Sequence, residues 1–175
     1  MMYGPAPWPQ RGGLPAPGSA APGWPVGAAR VPVQPLGRFF QQTLPGTAVA
    51  HSHHVDALRL PEVRNNPAFQ RFTEIELHEL HHQIAAMGAL QRLRTGDRRA
   101  LESLGYNLSR FVARRQAAQE AVRALPAAVR NNADVQRMLR LVRQSNRQIR
   151  QYWPYIAQAI AAAGLGTMER PQLEE

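Results

Sequence analysis

The sequence predicts an all-α fold: a three-helix bundle, its third helix kinked at Pro154, preceded by an extended Pro/Gly-rich N-terminal arm. Three observations carry this expectation. Beyond residue 66, apolar residues recur at intervals of three and four; no stretch alternates apolar and polar residues as a strand does; and turn-forming residues separate the periodic segments.

Pro, Gly and Ala dominate residues 1–56, in runs such as Pro5-Ala6-Pro7-Trp8-Pro9 and Pro15-Ala16-Pro17-Gly18. Proline removes backbone donors and glycine raises the entropic cost of order, so this arm is expected to be extended when alone. Spaced aromatics (Tyr3, Trp8, Trp24, Phe39 and Phe40) suit it to docking along a neighbour's surface.

The helical domain is expected over residues 57–166. Its first helix runs from Pro67 to Arg94 and stops at Thr95-Gly96, with Phe69, Leu80, Ile84 and Met87 on its core side. The second spans Asp97 to about Leu125, and its apolar seam is Leu101, Leu104, Leu108, Phe111, Ala118, Val122 and Leu125. The third starts after Asn132 with a seam of Val135, Met138, Val142, Ile149, Trp153 and Ile156, and ends at Gly164 and Gly166. Arg115 and Ser145 interrupt these seams. Val63-Arg64-Asn65-Asn66-Pro67-Ala68-Phe69-Gln70-Arg71-Phe72 is echoed by Val129-Arg130-Asn131-Asn132-Ala133-Asp134-Val135-Gln136-Arg137-Met138. Asn66 and Asn132 are therefore expected to cap helices that begin alike, with Pro67 at a position where its missing N–H costs nothing. Residues 167–175 form an acidic C-terminal tail.

The absence of cysteine excludes disulfides, thiolate metal sites and thiol nucleophiles. No apolar run reaches the roughly 20 residues that span a bilayer, and the N-terminus has no signal-peptide pattern. No membrane insertion is expected, and the chain reads as intracellular or as part of an intracellularly assembled particle. All 21 basic side chains are arginine. Codon composition explains that bias as well as function does, but guanidinium also makes two-pronged bonds to carboxylate and phosphate that lysine cannot. Ser103 to Met168 carries ten arginines against two acids, Glu120 and Asp134. Arg137, Arg140, Arg143, Arg147 and Arg150 step by threes and fours into one stripe about 20 Å long. Such a face suits an acidic protein partner or a polyanion, including nucleic acid.

Residues 78–82 read His-Glu-Leu-His-His, so His78, Glu79 and His82 fill an H-E-x-x-H pattern. On a helix, two imidazoles one turn apart can share a divalent metal while the glutamate activates bound water. The pattern resembles the metal-binding helix of zinc peptidases. That resemblance implies His78 and His82 as ligands, Glu79 as general base and Glu102, on the next helix, as third ligand. Neither the sheet nor the edge strand that holds a peptidase substrate is expected in this chain. A carboxylate-bridged di-metal bundle would need a second Glu-x-x-His, and no histidine follows His82. His51, His53, His54 and His81 complete a histidine cluster able to hold zinc or another divalent metal without catalysis.

The aromatic arm, small helical unit and clustered histidines together resemble coat or shell assembly proteins in composition. The sequence is therefore read as a non-enzymatic assembly or binding protein that requires no cofactor, contacts a protein partner or its own copies, and is oligomeric. A small zinc metallopeptidase and a nucleic-acid-packaging protein are the alternatives.

Overall fold

The computed structural model of the protein describes residues 31–175. Among them every regular element is a helix: α1 (Val33–Ala57), α2 (Pro61–Arg64), α3 (Pro67–Arg94), α4 (Ala100–Arg123), α5 (Ala127–Arg130), α6 (Ala133–Gln151) and α7 (Trp153–Ala162). No helix among the described residues is long and apolar enough to cross a membrane.

The largest correction to the sequence reading is α1, which occupies residues expected to be an extended arm. Its prolines sit where they cost little. Pro35 lies in the first turn, whose N–H groups have no partner within the helix in any case. Pro45 lies on the exposed side, where solvent can serve the carbonyl it deprives of a donor. Packing supplies the rest. Phe39 and Phe40 are 0% and 4% exposed, and burying each stabilises the fold by roughly 2–3 kcal/mol. They are core residues and not docking aromatics. Tyr3, Trp8 and Trp24 lie outside the described residues.

The bundle therefore has four long helices, α1, α3, α4 and α6, instead of three. Bonds between neighbours show that they pack antiparallel. Thr47 and His54 of α1 meet Gln83 and Glu76 of α3. Glu79 and His82 of α3 meet Arg115 and Asn107 of α4, and Gln42 and His53 of α1 meet Gln148 and Asp134 of α6.

The internal echo marks two equivalent connections. In each, Leu-Pro stands at the start of a single helical turn, α2 or α5, whose valine (Val63 or Val129) is buried. Asn66 Oδ1 then accepts from Phe69 N at 3.1 Å, and Asn132 Oδ1 accepts from Asp134 N at 2.9 Å and Val135 N at 3.1 Å. Gln70 and Gln136 each reach back six residues, to the Arg64 and Arg130 carbonyls. Both asparagines are caps, as their sequence context predicts. The two connections, α1 to α3 and α4 to α6, are thus built alike, while the closest packing is of α3 on α4 and of α1 on α6.

Tyr152 divides the expected third helix into two. A new helix, α7, starts with Pro154 in its first turn and packs on α4. Gly105 allows that contact, because a Cβ there would collide with the Ala163 side chain and crowd the Ala159 carbonyl at 3.2 Å.

The buried face of α3 also differs from expectation. Ile84 is 57% exposed, and the buried line runs through Phe69, Phe72, Glu79, Gln83, Ala86, Leu90 and Leu93. Phe69 is buried and Met87 packs on the core as expected, but two members of the buried line are polar, so apolar spacing alone turned the core face part-way round the helix from where it lies. The same depth in the bundle is polar on every long helix. Apolar clusters, one around Leu36, Phe39, Leu93, Leu108 and Ile149 and the other around Phe69, Phe72, Val129 and Met138, lie on either side of a middle layer. That layer contains buried Thr43, Glu79, Gln83, Arg115, Ser145 and Asn146.

Candidate functional site

Arg115 is the centre of that layer. Its Nη2 and Nε lie 2.6 and 2.7 Å from Glu79 Oε1. Its Nη1 donates to Asn146 Oδ1 at 2.7 Å and Ser145 Oγ at 3.2 Å. Arg115 and Glu79 are 4% and 6% exposed, so the pair is screened from water by three helices. Burial raises the Glu79 pKa above the ordinary carboxylate value, and the Arg115 charge and hydrogen bonds pull in the opposite direction. Beside the pair, Thr47 and Gln83 bond each other across α1 and α3. Small clefts flank the layer, about 50 Å³ beneath Arg123, Arg143 and Glu174 and about 30 Å³ beneath His51 and Leu80. Both are far below the several hundred Å³ of ordinary ligand pockets.

This geometry takes the H-E-x-x-H pattern apart. Glu79 points into the bundle and is held by Arg115, whereas His78 is exposed. His82 is half-buried, with Nδ1 2.9 Å from Asn107 Oδ1 and its ring edge-on to Tyr106. His81 is exposed and packs its ring against that of His82. Glu102 is exposed in the first turn of α4. His78, His82 and Glu102 do not converge: among the described residues the group of three whose ligand atoms lie within 4.8 Å of one another is His53, Asp56 and Asp134. A glutamate already bound by a buried arginine is poorly placed to take a proton from metal-bound water, so Glu79 has a structural occupation.

The remaining histidines divide by depth. His54 is buried and ties α1 to α3, its Nδ1 2.9 Å from Glu76 Oε2 and its Nε2 2.8 Å from Thr73 Oγ1, stacked on Phe72. With both nitrogens engaged it is a packing residue and not a free ligand. His53 Nδ1 lies 3.5 Å from Asp134 Oδ1, and His51 lines the smaller cleft.

The arginine stripe is where its spacing predicts. Arg137, Arg140, Arg147 and Arg150 are exposed and Arg143 is half-buried on the outer side of α6. Arg137 pairs with Asp134 at 3.1 Å and Arg150 with Glu175 at 2.7 Å. Arg140, Arg143 and Arg147 have no carboxylate partner among the described residues, unlike Arg137 and Arg150 of the same stripe.

Sequence reasoning missed the buried layer, although Arg115 and Ser145 had marked it as gaps in the apolar seams. It also missed the returning tail. Residues 172–175 lie back against α4 and α6, with Gln119 Nε2 donating to the Gln172 carbonyl at 3.0 Å and Asn146 Nδ2 to the Glu174 carbonyl at 2.6 Å. No protein-family model, curated protein or solved structure matches the chain.

Proposed function

We propose that the protein is a non-enzymatic binding or assembly protein of the coat or shell kind, engaging an acidic surface of a partner through the outer face of α6. The observation that carries this reading is the uncompensated trio Arg140, Arg143 and Arg147 on one helix. Guanidinium groups at this spacing repel one another unless an anion lies over them, and their planar donors match carboxylates in pairs. The face is already formed on a helix, so little order has to be created on binding. Residues 1–30, with Tyr3, Trp8 and Trp24, extend the contact as a docking arm. A nucleic-acid backbone is the second anion that fits the same stripe, through its regular charge spacing and without base reading.

Titrating a labelled acidic oligopeptide and a labelled DNA duplex against the wild type and the Arg140→Gln, Arg143→Gln, Arg147→Gln triple variant tests the reading. The variant should keep its helicity, bind the anionic probe more weakly and show a smaller salt dependence. Equal affinity and equal salt dependence in the two proteins would remove the arginine face from the proposal.

A further inference from the structure

Beyond α7 the chain leaves the bundle and comes back to it. Gly164 and Gly166 have φ of +80° and +79°, where an L side chain is strained. Gly164 ends α7, with its N–H bonded to the Ala161 carbonyl and that of Leu165 to Ile160. The following segment returns along the groove between α4 and α6.

Most of what holds it there is directed at its backbone. Gln119 donates from Nε2 to the Gln172 carbonyl at 3.0 Å and accepts at Oε1 from the Glu174 N–H at 2.7 Å. One glutamine thus engages two backbone groups on either side of Leu173, whose side chain packs on the core. Asn146 adds the bond to the Glu174 carbonyl at 2.6 Å. Charge completes the fit, with Arg123 3.3 Å from Glu174 Oε1 and Arg150 2.7 Å from Glu175 Oε2. Glu174 also raises the Arg123 pKa. Main-chain bonds, one apolar anchor and matched charge are how a groove holds an extended peptide. None of these contacts requires the peptide to belong to the same chain. A cleft of about 330 Å³ remains between Arg170–Leu173 and α6, so the segment bridges the groove without filling it.

We propose that the α4–α6 groove is a docking site for an extended acidic segment, and that in the assembled state its occupant is residues 167–175 of a second copy of the chain. The segment seated on the groove identifies the sequence that fits. Exchange between copies keeps each of these bonds and alters only the glycine hinge, so the closed and exchanged forms differ mainly by the entropy of association. The inference does not depend on the arginine trio, since Gln119, Asn146, Arg123 and Arg150 do the holding.

The sequence contains no cysteine, so introduced thiols report unambiguously. Full-length Arg123→Cys protein is mixed with full-length Glu174→Cys protein and treated with a short bismaleimide. Docking in trans should give a covalent pair roughly tenfold or more faster than Glu174→Cys mixed with Arg59→Cys, because docking raises the effective concentration of the thiols. Adding Gln119→Ala to the Arg123→Cys partner should abolish that advantage. Linkage confined within single chains of the Arg123→Cys, Glu174→Cys double variant would overturn exchange and make the segment a private strap. Absence of linkage in both formats would overturn the groove itself.

Discussion

A carboxylate and a guanidinium removed from water together lose more hydration than their attraction returns unless every remaining polar atom is matched. Arg115 comes close to that condition by adding Ser145 and Asn146 to Glu79. Breaking the pair and replacing it should therefore have opposite outcomes. Glu79→Ala leaves a buried guanidinium short of its counter-charge and should destabilise by about 3–5 kcal/mol, whereas Glu79→Leu combined with Arg115→Met should be near wild type or more stable. Urea midpoints of the single and combined variants decide it; two equally damaging results would show that the polar layer contributes to stability beyond the pair. The same residue shows why a short motif is weak ground. Its type was legible in the sequence, but the direction in which helix α3 points it was not, because Arg115 is distant in sequence.

At the scale of elements, α1 and α7 depend on tertiary contacts more than on local preference. Phe39 is fully buried, so Phe39→Ala should cost about 3–5 kcal/mol in thermal or urea unfolding. A docking aromatic on an extended arm would show almost no change. At Gly105, α4 lies close against the C-terminal end of α7. Gly105→Ala should destabilise by roughly 1–3 kcal/mol despite alanine's better helix propensity, since the added methyl has to displace Ala163. Stabilisation on that substitution would mean that α7 is held loosely. The caps at Asn66 and Asn132 were legible, because capping is a contact within one turn. Helix α1 was not: Pro35, Pro45, Gly37 and Gly46 are breakers by local rules, overridden by the apolar surface that Leu36, Phe39 and Phe40 bury.

At the scale of the whole molecule, the excess of arginine is displayed along α6, where Arg137, Arg140, Arg147 and Arg150 are exposed. Each arginine lost from a polyanion contact should lower the logarithmic salt slope by about one, so the triple variant should lose roughly 2–3 of it. Anisotropy titrations at three salt concentrations measure this directly. Glu174 and Glu175 lie against the same side of the bundle, through Arg123 and Arg150, so the tail carries its acids to the region where the arginines lack partners.

The sequence by itself determined the helical class, the starts of α3 and α6 and their common connection, and the arginine stripe. These follow from periodicity, capping and residue spacing, which act within a few turns of one helix. Only the tertiary structure decided that residues 33–57 complete the bundle, that Glu79 serves Arg115, and that residues 172–175 return to α4 and α6. Each depends on a partner distant along the chain, and burial or pairing with that partner outweighs the local signals of proline, motif and exposed charge.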